Sequence, residues 1–256
     1  MEKFVSIAKA KKSTGLSYLG KVNNSTKHEK AYKYNELVYT LYLAPADSSG
    51  HEVCAGRSAS CTKLCLDKSG QNLMNAKIGR IDQSRIKKTK LFFENRPFFM
   101  AWMCAEIELA RNTAKRLGYR FSVRLNNTSD LSPEIFRITG ENGKSVNILQ
   151  LFPHVTFYDY TKVFPRLKIV EKYPNYDLTF SYSGENLEQC EMALNKGFRV
   201  AMVFDKLPDT YMGKTVIDGD QYDMRYLDPK DVVVGLKFKK VRNKPDASDN
   251  FLIKTL

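Results

Sequence analysis

Short apolar strands alternate with helical segments along this sequence, and the alternation limits the folds that it can adopt. Apolar, β-branched and aromatic runs predict five strands, and stretches with helical periodicity or capping residues separate them. The predicted strands cover residues 37–44, 119–125, 155–158, 176–180 and 198–204. This alternation favours an α/β fold with a mainly parallel sheet and flanking helices, since parallel neighbours need a crossover connection. Such a sheet is either open or curled into a partial or complete βα barrel.

The helical segments carry recognisable boundaries. A long helical stretch runs from Leu73 to about Leu117, and Pro97 is suited to open its second half. This second helix is apolar enough to be buried. Its predicted core side chains are Phe98, Trp102, Ile107, Leu109 and Leu117. Further helices are expected to begin near Ser132, Pro165 and Glu185.

The chain divides into a basic N-terminal segment, residues 1–34, and one α/β domain, residues 35–256. The domain contains a cysteine loop at residues 45–71 and a C-terminal extension at residues 205–256 with two short strands, near Thr215–Ile217 and Val232–Lys239. A chain of 256 residues is long enough to bury a core without disulfides. Because it lacks a secretory signal and any apolar run of roughly 20 residues, we expect a cytoplasmic protein with no membrane contact.

The cysteine loop is the strongest chemical signal. It carries Cys54, Cys61 and Cys65 in the pattern C-x6-C-x3-C, among polar neighbours that make a purely structural burial of three thiols unusual. Thiolates are soft ligands that hold zinc or iron–sulfur clusters. Structural zinc sites use four protein ligands, commonly in C-x2-C pairs, so the spacing favours a [4Fe–4S] cluster, with zinc as the alternative. A fourth ligand would be Cys104, Cys190, His51 or a group from outside the chain.

Polar residues follow the predicted strands where a parallel α/β protein places its ligand site. Each of these residues also suits a helix cap or turn, so the prediction depends on the fold. The candidate ligand-binding residues are Arg124, Asn126, Ser181 and Ser183, and the candidate catalytic residues are Asp130, Asp159 and Lys162. Asp159→Asn and Lys162→Ala are predicted to remove function and leave the fold intact. The alternative is a structural ion pair between Asp159 and Lys162.

The charge of the chain suggests a second class of function. A formal net charge of +13, with lysine and arginine concentrated in residues 3–33, 77–96 and 237–244, would attract DNA or RNA, although basic surfaces have many causes. Three carboxylates close in sequence, Asp218, Asp220 and Asp223, suggest a metal-dependent nuclease as a further alternative, and a salt-bridged turn explains them equally well. The sequence leaves open whether the protein is an enzyme, and it says nothing of its oligomeric state.

An ordered set of motifs resembles the phage-encoded gene product 88 family. These motifs are LYLAPADSSGHEVCAGRSASCTKLCL, RLNNTSD, FYDYTK, LTFSYS, VIDGDQYDMRYLDP and GLKFK, from about Leu41 onward. The resemblance implies a phage or mobile-element origin, and a host-cell location, but no particular reaction. The chain is also distantly similar to radical S-adenosylmethionine enzymes, which carry three cysteines after the first strand of a βα barrel. Their usual spacing is C-x3-C-x2-C, and their glycine-rich segment has no counterpart here.

Overall fold

A computed structural model describes residues 5–23, 25–65, 80–139, 143–239 and 250–255. The described strands are β1 Gly20–Val22, β2 Glu36–Leu41, β3 Arg120–Arg124, β4 Ile138–Thr139, β5 Ser145–Val146, β6 Thr156–Thr161, β7 Tyr176–Ser181, β8 Val200–Phe204, β9 Thr210–Tyr211, β10 Lys214–Asp218, β11 Val233–Lys237 and β12 Leu252–Ile253. The described α-helices are α1 Ile7–Thr14, α2 Thr26–Glu29, α3 Ala59–Lys63, α4 Arg80–Glu94, α5 Arg96–Leu117, α6 Ile148–Leu151, α7 Ile169–Lys172 and α8 Leu187–Asn195. Short 3-10 turns cover Lys30–Tyr34, Pro133–Ile135, Phe164–Lys168 and Arg225–Leu227.

Ten of the described strands form one sheet. Its order is β1-β2-β3-β6-β7-β8-β11-β10-β9, and β12 also pairs with β8. The seven strands from β2 to β10 in this order are parallel to their neighbours, while β1 and β9 pair antiparallel at the two ends. The prediction of an α/β fold with a mainly parallel sheet is confirmed. No described helix is long and apolar enough to cross a membrane.

The two faces of the sheet differ in chemistry because side chains alternate along each strand. One face packs against the helices in a core that joins Tyr39, Val123 and Phe157 of the sheet to Phe99 and Trp102 of α5. Apolar residues at helical spacing along α5 dictate this contact. The opposite face, which we call the polar sheet face, presents Arg124 of β3, Tyr158 and Tyr160 of β6 and Thr179 of β7. The turns Lys30–Tyr34 and Arg225–Leu227 pack against this face.

Several predicted details are wrong. Leu109 and Leu117 were expected in the core, yet 59% and 56% of their surfaces are exposed, because they lie on the outer side of α5. The helix expected at Ser132 is a single 3-10 turn, Pro133–Ile135. The helix that Pro97 was expected to open is α5, which begins at Arg96, and the Asn95 side chain caps it by accepting a hydrogen bond from the Phe98 N–H. The start of the helical stretch expected from Leu73, residues 73–79, lies outside the described residues.

The basic N-terminal segment packs into the same core as the rest of the chain. Ala10, Leu16 and Leu19 are buried in the main core cluster, and α1 contacts α5. Glu106 of α5 fixes the start of β1, since its carboxylate accepts hydrogen bonds from the Leu19 and Gly20 N–H groups. Buried contacts of this kind explain how a polar, turn-rich segment becomes ordered.

Candidate functional site

The cysteine loop leaves β2 and crosses the carboxyl ends of three neighbouring strands. The Val53 carbonyl accepts a 2.7 Å hydrogen bond from the Asp130 N–H after β3. Gly56 lies directly against the residue that follows β6, because a Cβ at Gly56 would be 2.7 Å from the Cβ of Lys162. The Ser58 hydroxyl donates a hydrogen bond to the carbonyl of Ser183, after β7. The loop and Asp130 therefore lie at the same edge of the sheet.

The loop contains a short helix that carries one of its cysteines. Ser58 caps α3 by accepting a 3.0 Å hydrogen bond from the Cys61 N–H. Cys61 lies in α3, and Cys65 lies just beyond the end of this helix at Lys63. Cys54 precedes the cap and contacts the Thr128 carbonyl, 3.6 Å from its sulfur. All three side chains are partly exposed.

Lys162 is electrostatically coupled to all three cysteines. Burial disfavours its charged form, but the negative charges of Cys61, Asp130, Cys54 and Cys65 outweigh burial and raise the pKa of Lys162. Burial raises the pKa of the Cys54 thiol to about 11, against the opposing effect of Lys162. The charges of the three cysteines and of Asp130 therefore all act on the ammonium group of Lys162.

The thiols do not form a ready ligand set. Within the described ranges, no group of three or more His, Cys, Asp and Glu side chains is arranged to hold a metal ion. The proposed additional ligands are engaged elsewhere. Cys104 is fully buried in α5, Cys190 is fully buried in α8 with its sulfur 3.9 Å from Asn186 Oδ1, and the His51 ring stacks on Phe93 with centroids 4.3 Å apart.

Asp130 ties the loop after β3 to the loop after β6. Its carboxylate accepts a 2.7 Å hydrogen bond from the backbone N–H of Lys162 and a 2.7 Å hydrogen bond from Arg166 Nη1. Arg166 also pairs with Glu134, at 3.1 Å between Nε and Oε1. Only 7% of the Asp130 side chain is exposed. Asp130 therefore positions the backbone that carries Lys162, whose own side chain takes no part in this bond.

Asp159 lies on the helix-packed face rather than beside the cysteines. It is 1% exposed, and its carboxylate accepts hydrogen bonds from the Asn126 N–H at 2.7 Å, from Asn126 Nδ2 at 3.1 Å and from the Tyr176 hydroxyl at 2.9 Å. Burial raises its pKa to about 6, although hydrogen bonds from Asn126 and Tyr176 and the charge of Arg124 act in the opposite direction. No ion pair joins Asp159 to Lys162 among the described contacts. These contacts favour a structural role for Asp159 and for Asn126.

The two serines at the carboxyl end of β7, Ser181 in the strand and Ser183 after it, contribute mainly through their backbones. The Ser183 carbonyl receives the Ser58 hydroxyl, and its N–H donates a 2.7 Å hydrogen bond to Asn186 Oδ1. The Ser181 carbonyl accepts a 3.2 Å hydrogen bond from Asn186 Nδ2. Ser183 is buried and Ser181 is partly exposed. The pair fixes the edge of the sheet under the cysteine loop.

The polar sheet face also holds a buried ionic cluster that was not predicted from the sequence. The Asp223 carboxylate, 1% exposed, accepts hydrogen bonds from Arg124 Nη1 at 2.7 Å, from His28 Nε2 at 2.9 Å and from the Tyr158 hydroxyl at 3.1 Å. Lys27 Nζ lies 3.6 Å away. A basic or aromatic residue at alternate strand positions is a weak signal, and no local pattern links residues 28, 124 and 223.

The carboxylates proposed for a nuclease do not share a metal site. Asp218 pairs with Lys237 at 3.2 Å and Asp220 with Lys239 at 3.3 Å, whereas Asp223 is held by Arg124 and His28. Each of the three carboxylates thus has a cationic partner, as the salt-bridged turn predicts for this segment.

The fold and the site together define a class: a parallel α/β protein whose cysteine loop covers the strand ends beside a polar sheet face. The chain matches the sequence profile of the gene product 88 family over residues 7–253, and it therefore belongs to this family of phage gene products. Searches of curated proteins and of solved structures found no match. The comparisons do not bear on the similarity to radical S-adenosylmethionine enzymes.

Proposed function

We propose that this protein is an iron–sulfur protein in which Cys54, Cys61 and Cys65 bind a [4Fe–4S] cluster next to a ligand site at the strand ends. The observation that supports the proposal is the position of the three thiols. They lie on one loop over the carboxyl ends of the strands, and all three are coupled to the ammonium group of Lys162. Parallel α/β proteins bind their ligands at this edge.

The chemistry of the donors fits an iron–sulfur cluster better than a structural zinc ion. Three thiolates bind three irons of a [4Fe–4S] cluster and leave the fourth iron for a ligand from outside the chain. Structural zinc needs four protein ligands. The available fourth candidates are occupied in the core or in ring stacking, as Cys104 and His51 show.

The protein residues near the loop have distinct tasks in this proposal. Thiols must lose their protons to bind metal, and the positive charge of Lys162 favours the thiolate forms. The Lys162 ammonium would also hold an anionic group of the ligand. Asp130 would act on Lys162 through the backbone, as a positioning residue.

Substitution of the cysteines tests the proposal. Protein reconstituted with iron and sulfide without oxygen is expected to show the broad visible absorption of a cluster. Cys54→Ser, Cys61→Ser and Cys65→Ser should each lose most of this absorption. Cys104→Ala is the matched control, because it removes a thiol that lies inside α5 and away from the loop. Equal loss in the control and in the loop variants would count against the proposal.

Nucleic-acid binding, which the charge of the chain suggests, stays a prediction. Two cations of the basic helix α4 are turned inward: Arg85 lies over the Tyr42 ring, 5.1 Å from its centroid, and Lys88 Nζ donates a 2.7 Å hydrogen bond to the Leu19 carbonyl. The exposed surface of α4 is therefore less basic than the sequence of this helix suggests.

A further inference from the structure

The polar sheet face contains buried hydrogen-bonding atoms that the protein does not satisfy. In the part of the chain that the structure describes, no hydrogen-bond partner exists for Tyr160 Oη, Thr179 Oγ1, Arg124 Nε and Arg225 Nη1. Thr179 is 0% exposed and Arg225 is 1% exposed. A buried polar atom without a partner is costly, and native structures rarely keep several of them together.

These atoms belong to one place in the fold. Tyr160 and Thr179 are register partners on β6 and β7. The Arg124 guanidinium lies over the Tyr160 ring, 4.6 Å from its centroid. Arg225 lies within electrostatic range of Tyr160, as its effect on the tyrosine shows. The four groups therefore converge on one region of the sheet, next to the Asp223 cluster.

The region also brings several cations together. Lys27 and Arg124 pair with Asp223, and Arg225 pairs with Asp228. Burial, together with Arg225 and Arg124, lowers the pKa of Lys27 to about 8, despite the opposing effect of Asp223. Guanidinium and ammonium groups placed together in this way favour the binding of an anion.

We propose that the polar sheet face is a binding site for a small ligand through its oxyanion, a phosphate or a carboxylate, held by Arg124, Arg225 and Lys27. The Tyr160 and Thr179 hydroxyls donate further hydrogen bonds to the same ligand. Guanidinium groups suit this role because they stay charged and present several N–H donors to an oxyanion. The site extends the ligand site of the proposed function down the sheet, but it uses none of the cysteines.

Isothermal titration with inorganic phosphate, and separately with succinate, tests the proposal at constant ionic strength in chloride buffer. At least one of the two anions should bind with a dissociation constant of about 1 mM or lower. The stronger of the two identifies the oxyanion class. Binding should weaken as the pH rises through about 8, because Lys27 loses its charge there.

Two conservative variants locate the site. Tyr160→Phe and Thr179→Val remove hydroxyls that make no described hydrogen bond, so their melting temperatures should not fall. The double variant should bind the anion about tenfold more weakly than the native protein. If the double variant does not fold, the weaker binding is measured in either single variant. Lys87→Ala is the matched control for surface charge, since Lys87 is exposed on α4.

Two outcomes overturn the inference: neither anion binds the native protein, or the double variant binds as tightly as Lys87→Ala does. Cys61→Ser separates this inference from the proposed function. This variant should lose the cluster and keep the anion site, so a failure of iron binding leaves the anion result interpretable.

Discussion

Asp223 and Arg124 are in direct contact, with both carboxylate oxygens within 2.8 Å of Arg124 Nη1, although 99 residues separate them in the chain. The contact joins the C-terminal extension to β3 beneath the cysteine loop. His28 completes it from the N-terminal segment, 195 residues from Asp223. One buried carboxylate therefore holds three distant parts of the chain together on the polar sheet face.

The first prediction concerns the stability of this cluster. Asp223→Asn should lower the free energy of unfolding by about 3–5 kcal/mol, because Arg124 and Lys27 would remain largely buried without their counter-charge. Urea unfolding measures the change. Asp218→Asn is the matched control, since its partner Lys237 is 59% exposed and such surface pairs contribute at most about 1 kcal/mol. Similar losses in both variants would contradict a special role for Asp223.

The second prediction is the pH dependence of the same carboxylate. Burial favours protonation of Asp223, but Arg124 and His28 outweigh burial and hold its pKa well below the usual value of 3.8. A lowered carboxyl pKa stabilises the fold above the unfolded value, and this stability is lost as the pH falls through the folded value. The difference in stability between the native protein and Asp223→Asn should therefore shrink below about pH 4. A constant difference down to pH 2 would contradict the assignment.

The third prediction separates Asp159 from Lys162. Asp159→Asn should cost about 1–3 kcal/mol, since the new amide group would face the N–H donors of Asn126. Lys162→Ala should change stability much less, because Asp130 bonds the backbone N–H of Lys162 rather than its side chain. Thermal melting of the two variants, compared with the native protein, distinguishes them. If both variants melt at the same temperature as the native protein, the prediction from the sequence holds, and both residues serve function rather than stability.

The raised pKa of Asp159 predicts a distinct dependence of the free energy of unfolding on pH. Its pKa of about 6 lies above the usual 3.8, so between these values the folded protein holds more protons than the unfolded chain. Stability should therefore fall as the pH rises from about 4 to about 6 and level off above that. Asp159→Asn should remove this part of the profile, and its persistence in the variant would assign it to another group.

The sequence predicted the fold better than it predicted the site. Strands are local patterns of apolar residues, and all five expected strands are present in the sheet. Asp159 is an example of a site residue whose position was predicted wrongly. The strand was expected to end at Tyr158, which would place Asp159 in the following loop, but β6 continues to Thr161. Within the strand, alternation turns Asp159 toward the helices.

The polar sheet face could not be predicted from local patterns. Its residues come from three strands and two distant segments, and the register of the strands decides which side chains meet. Tyr160 and Thr179 become neighbours only because β6 and β7 pair as they do. A one-residue shift in register would turn either side chain to the opposite face.

A further prediction concerns the packing of the cysteine loop against the sheet. Gly56→Ala should displace the loop, since its new Cβ would lie 2.7 Å from the Lys162 Cβ and 3.0 Å from the Lys162 carbonyl carbon. We expect lower retention of iron with little change in the melting of the rest of the domain. Gly50→Ala is the control: it strains a backbone with φ of +88° in the same loop but meets no atom within 4 Å. Equal iron retention in both variants would contradict the view that the contact between Gly56 and Lys162 holds the loop in place.

The most direct test of the proposed function is the amount of iron and sulfide per chain in protein purified and reconstituted without oxygen. The proposal predicts about four irons and four sulfides per chain, as a [4Fe–4S] cluster requires, and a loss of most of both in Cys61→Ser. Stoichiometric zinc, no metal, or iron that is retained in Cys61→Ser would contradict it.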